Sequence, residues 1–156
     1  MNIFEALWAN RPLICALCAW MLAQIIKFFL YSFIEKTVSW RRLWGSGGMP
    51  SSHSATVCAL VTSTGLAFGI STFEFAISFI FAIVVMVDAM GVRRETGKQS
   101  KLLNMMMEED FWNFDDPEAV QMRLKEFVGH TPLQVFVGAV LGVLIAVLLN
   151  AVYYQA

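Results

Sequence analysis

A chain of 156 residues fits one domain. Its residues are 58% hydrophobic and only 15% charged, with a mean hydropathy of +0.62, which excludes an ordinary soluble globule, where the charged share is about 25%. The net charge of −1, with no Lys/Arg run interleaved with aromatics, excludes a nucleic-acid footprint.

In chain order, residues 1–11 are short and mixed, with Trp8 and Arg11 suited to a membrane interface. The apolar run 12–34 is long enough to span a bilayer. It does not read as a cleavable signal, because no basic segment leads it and no small-residue cleavage site follows. Gln24 and Lys27 interrupt it at i, i+3 on one face; Lys27 either turns into the bundle or snorkels to the headgroups. A polar loop with Lys36, Arg41 and Arg42 follows and closes on Gly47-Gly48-Met49-Pro50-Ser51-Ser52-His53-Ser54. Here two glycines, a proline and three hydroxyls meet a helix start, whose free N–H groups and partial positive charge make an anion seat.

A second span is expected at 53–70, with Gly65 and Gly69 as a close-packing pair, and a third at 73–90, ending near Asp88. Residues 91–131 read as a polar loop. Within it, Leu102 to Met107 is expected as a surface helix, and the stretch from Asp116-Pro117 to Gly129 as a short interfacial helix with Val120, Leu124, Phe127 and Val128 at helical spacing. The acidic clusters Glu108-Glu109-Asp110 and Asp115-Asp116 lack EF-hand spacing and read as solvated. The fourth span, 132–154, starts at His130-Thr131-Pro132, carries Gly138-x-x-x-Gly142, and ends at Tyr153 and Tyr154. Cys15, Cys18 and Cys58 lie in apolar runs and read as packing residues. The expected fold is therefore all-α: a single membrane domain over 1–156, a bundle of about four transmembrane helices plus short interfacial helices.

Four spans bring the first-to-second and third-to-fourth loops to one face. The chain's two histidines, His53 and His130, both sit at helix starts there, with Lys27, Ser51, Ser52, Arg93 and Arg94. Lys and Arg suit phosphate oxygens, and a histidine pair can supply one nucleophile and one proton donor, so the set fits phosphoryl transfer without a metal or cofactor. The two loops on this face hold Lys36, Arg41, Arg42, Arg93, Arg94, Lys98, Lys101, Arg123 and Lys125 against Arg11 on the other, so the site is expected to be cytoplasmic.

Pro50-Ser51-Ser52-His53-Ser54 resembles the P-S-G-H motif of the type 2 phosphatidic acid phosphatase and vanadium haloperoxidase superfamily. The longer pattern is similar to the divergent branch of that superfamily: the stretch from Gly47 to Ala55, then Asp88-Ala89-Met90-Gly91-Val92-Arg93-Arg94, Gly97-Lys98-Gln99 and Gly129-His130-Thr131-Pro132. The resemblance implies that Lys27 and Ser51 bind phosphate, that His53 is the general acid, that Arg93 or Arg94 is the family's arginine, and that His130 is the nucleophile. No Arg-Pro follows Lys27 as in the family's first motif, leaving Arg41 and Arg42 as replacements. Ser52 stands where the family has glycine, the gap from arginine to His130 is longer, and Gln134 replaces the acidic partner of the nucleophile. The function expected is a metal-independent membrane phosphatase acting on a lipid phosphate or pyrophosphate. The alternative is a non-catalytic membrane protein that binds or carries a phosphorylated lipid or anion. The partners expected are the phosphorylated lipid and membrane lipids, with room for a homo-oligomer and no nucleic acid.

Overall fold

The computed structural model of the protein describes residues 2–36, 48–108 and 129–153, and among these the only regular elements are six helices. Each start follows from local chemistry. Asn2 and Glu5 form a capping box on α1 (Ile3–Ala9). Asn10 caps α2 (Arg11–Glu35), with Pro12 in its first turn where its missing N–H costs nothing. Ser51 caps α3 (Ser52–Phe68) and Thr72 caps α4 (Phe73–Met90). α5 (Val92–Glu108) leaves α4 across Gly91, whose N–H still bonds the Val87 carbonyl. In α6 (Pro132–Tyr153) the Thr131 hydroxyl accepts from the Gln134 N–H while the Gln134 side chain accepts from the Thr131 N–H.

The protein is a helical membrane bundle. By length and composition three stretches can cross a bilayer: Arg11–Ile34, Phe73–Met106 and Pro132–Val152. The fourth bundle helix, α3, has 17 residues and spans about 26 Å at 1.5 Å per residue, shorter than the ~30 Å hydrocarbon core. It is the central helix, packed against α2, α4 and α6. Large apolar side chains such as Phe29, Ile80, Phe136 and Leu148 face outward, and the interior is built from Cys15, Ala19 and Ala23 of α2, Ala55 and Ala59 of α3, and Ile145 and Ala146 of α6. Lipid is as apolar as these side chains, so close backbone approach rather than hydrophobic burial holds such helices together. Gly138 and Gly142 show this: a Cβ at either would overlap the carbonyl oxygen of Ser51 or Ala55 on α3. At the end of the bundle remote from His53, the buried Asn150 amide donates to the Ala146 carbonyl (2.7 Å) and to Ser63 Oγ (3.4 Å), tying α6 to α3.

Three expectations change. Residues 92–101 are helical instead of opening a polar loop, and with the expected helix at Leu102 to Met107 they make one helix, α5. Arg, Glu, Lys and Gln dominate 93–101, and all favour helix without an apolar run to announce it. Gly65 and Gly69 are not a packing pair: α3 stops at Phe68, Gly69 caps it at φ +92 with open space around its Cα, and Gly65 meets the Phe75 ring. Residues 3–9, expected only as a mixed segment, are helical. The interfacial helix expected before Gly129, the clusters Glu109-Asp110 and Asp115-Asp116, and Arg41 and Arg42 lie outside the described residues.

Candidate functional site

Lys27 continues an inward stripe on α2. Cys15, Ala19, Ala23 and Lys27 recur every four residues, so the lysine faces the bundle and is only 2% exposed. This decides between the two sequence readings in favour of the interior. Lys27 has no carboxylate partner among the described residues. A buried cation without a counter-ion is costly, and an anionic ligand offsets that cost.

The motif loop delivers its residues to the same end of the bundle. Gly48 sits at φ +86 with the Tyr31 ring where a side chain would be, so both the backbone and the space require glycine. Ser51 is fully buried. Its Oγ accepts from Ser54 N–H (3.4 Å) and from Ser54 Oγ–H (3.1 Å), leaving its own proton free to donate. The Ser51 N–H is taken by the Gln134 carbonyl of α6 (3.1 Å), so this amide is not part of an anion cradle. Ser52, also buried, follows in the first turn of α3.

His53 and His130 come together with ring centroids 5.8 Å apart and planes at 61°. His130 is 2% exposed and is held from two sides. Its N–H donates to the Ala89 carbonyl at the end of α4 (3.0 Å), and its Nδ1 lies 3.3 Å from Gln134 Oε1 one turn into α6. An amide oxygen only accepts, so Nδ1 carries the proton and Nε2 is left with its lone pair. Burial lowers the pKa of His130, the Gln134 contact opposes this, and the charges of His53, Lys27 and Arg93 lower it further. The ring is therefore neutral at pH 7. On His53, Nδ1 is buried with no hydrogen-bond partner among the described residues.

The two arginines diverge. Arg93 donates from Nε to Asp88 Oδ2 at 2.6 Å, and its charge acts on both histidines. Arg94 turns to a separate cleft with Gly97, Lys98 and Lys101, bounded across from them by Gly129, His130 and Thr131. Thus Lys27, His53, His130 and Arg93 lie within electrostatic reach of one another, with Gln134 bonded to His130 and joined to Ser51 through its carbonyl, while Arg94 lines a cleft that His130 also borders. Sequence reasoning noted Asp88 near this face but not as the arginine's partner. The two are five residues apart, a spacing a regular helix does not bring together, and they meet across the irregular Gly91.

A small-residue helical bundle with this polar cluster at the starts of two helices defines a class, and the chain belongs to the Divergent PAP2 family, whose model matches residues 8–145. It is similar to a protein of Bacillus subtilis (strain 168), "Uncharacterized membrane protein YuiD". The two are 40% identical over 152 residues, covering 92% of this chain and 96% of the relative. No solved structure matches the chain.

Proposed function

We propose that the protein is a membrane phosphatase that hydrolyses a lipid phosphate or pyrophosphate through a phosphohistidine at His130. The observation that carries this reading is the meeting of the chain's two histidines beside Lys27, a buried lysine with no carboxylate partner among the described residues. The reacting phosphate lies between the rings, with Lys27, the free protons of Arg93 and the Ser51 hydroxyl on its oxygens. His130 Nε2 attacks phosphorus, the bond to the lipid oxygen breaks, and His53 protonates the departing oxygen. His53 then takes a proton from water, which attacks the phosphohistidine, releases phosphate and returns His130 to its neutral form. The site residues themselves supply the charge the transfer needs, so the reading calls for no metal. The surplus of Lys and Arg in the loops on this side favours a cytoplasmic site.

The test is phosphate release from a panel of lipid phosphates by the purified chain in nanodiscs. His130→Ala abolishes turnover. His53→Ala still forms phosphoenzyme from a substrate whose leaving group needs no protonation, such as p-nitrophenyl phosphate. Full turnover by His130→Ala overturns the assignment. If the native chain releases phosphate from no substrate yet binds lipid phosphate, the non-catalytic carrier reading stands instead, and the uncharged Gln134 behind His130 is the feature that favours it.

A further inference from the structure

Arg94, Gly97, Lys98 and Lys101 stand at i, i+3, i+4 and i+7 and so share one face of α5. That face bounds a cleft of about 240 Å³ whose other wall is Gly129, His130 and Thr131. A liquid water occupies about 30 Å³, so there is room for a phosphate group with water around it. Gly129 lets the two walls approach closely beside the cleft: a Cβ there would overlap the backbone N and Cα of Arg94. The wall opposite the cations is the start of α6; the N–H groups of His130, Thr131 and Gln134 are already bonded within the protein, so what this wall adds is the partial positive charge of the helix end. Lys98 pairs with Glu95 at 2.6 Å, but both side chains are exposed, and such a pair contributes little. Arg94 and Lys101 have no carboxylate partner among the described residues.

The reacting phosphate of the proposed mechanism does not use these groups. It engages Lys27, Ser51, His53 and Arg93, none of which lines the cleft. His130 is the shared wall between that site and a second concentration of positive charge. We propose that the cleft between α5 and the start of α6 is a second phosphate seat, formed by Arg94, Lys98, Lys101 and Thr131. Its occupant is a phosphate group other than the one that reacts: either the neighbouring phosphate of a diphosphate substrate or the headgroup phosphate of an adjacent anionic lipid. The seat rests on the proposed function only in taking the histidine pair as the first phosphate site.

The experiment uses the full chain in phosphatidylcholine nanodiscs and titrates it calorimetrically with inorganic phosphate and with pyrophosphate. The same preparation is examined by native mass spectrometry for retention of phosphatidylglycerol over phosphatidylcholine. Lys98 and Lys101 are both exposed, so Lys98→Ala/Lys101→Ala is compatible with the fold. With a diphosphate as occupant, pyrophosphate binds at least tenfold tighter than phosphate, and the double variant loses that margin while keeping its phosphate affinity. With a lipid headgroup as occupant, the two ions bind alike, and the preference for phosphatidylglycerol is what the double variant loses. The seat is overturned if neither preference exists or if each one present survives the double substitution. The phosphatase reading is judged separately by phosphate release: turnover without either preference refutes the seat alone, and a preference without turnover refutes the enzyme alone.

Discussion

His130 is oriented by an amide where a carboxylate would also supply counter-charge. Gln134 Oε1 is divided between His130 Nδ1 at 3.3 Å and the Thr131 N–H at 3.0 Å, so it fixes the ring's tautomer while capping α6. A carboxylate in the same place would do both, stabilise the positive imidazole formed on attack, and suit the helix start. The difference between charged and neutral hydrogen bonds is about 1 kcal/mol or more, close to a tenfold change in rate. Gln134→Glu should therefore raise the rate of phosphate release about tenfold and Gln134→Ala should lower it; unchanged rates in both would remove Gln134 from the mechanism. At this scale much of the site was legible. Lys27, His53 and His130 stand out because ionisable residues are rare in and beside apolar runs. The Arg93–Asp88 pair and the engaged Ser51 N–H were not legible, since the first depends on the bend at Gly91 and the second on where α6 crosses α3.

Three helices carry the same four-residue rhythm. On α2 it is Cys15, Ala19, Ala23, Lys27; from the cap of α3 it is Ser51, Ala55, Ala59, Ser63; on α6 and the turn before it, His130, Gln134, Gly138, Gly142, Ala146, Asn150. Each stripe is small where backbones meet and polar at the site end, with those of α3 and α6 polar again at Ser63 and Asn150, so the packing that assembles the bundle also gathers the site. Gly142→Ala should show the coupling. Its Cβ would overlap the Ala55 carbonyl, a rigid backbone group, and over-packing of this kind costs about 1–3 kcal/mol. The expected result is a lower melting temperature in detergent together with reduced turnover, because separating α6 from α3 moves His130 from His53. A variant with native melting and native turnover would show that the close approach is not needed. The Gly138/Gly142 pair could be read in advance, while the Gly65/Gly69 pair misled, because spacing alone does not tell a packing face from a helix end. The first half of α5 was missed for a different reason: a charged helical stretch without an apolar run resembles a loop until its propensities are summed, while Leu102 to Met107 in its second half could be read in advance.

For the whole molecule, the surplus of Lys and Arg beside the site predicts its orientation. A cysteine introduced at Ser46 should resist a membrane-impermeant thiol reagent applied to intact cells and react after permeabilisation; labelling from outside would reverse the assignment. The length of α2 bears on how substrate arrives. Past Lys27 the helix continues for eight residues to Glu35, about 12 Å, and Phe29, Phe33 and Ile34 on this extension are all more than 60% exposed. The apolar outer surface of α2 therefore extends beyond the level of the buried lysine to the end of its candidate span at Ile34, while α3 begins only at Ser52. On the proposed function, a phosphate reacting beside Lys27 would then sit below the plane where lipid headgroups rest. A membrane-borne phosphate has to sink, or the leaflet has to thin around the protein, and either distortion grows with bilayer thickness at a cost of fractions of a kcal/mol per Å. Turnover should consequently fall as the acyl chains of the host vesicles lengthen from roughly fourteen to roughly twenty-two carbons, at constant substrate fraction. A rate indifferent to thickness would mean that substrate enters from water, and the protein would then be a membrane enzyme for soluble phosphates.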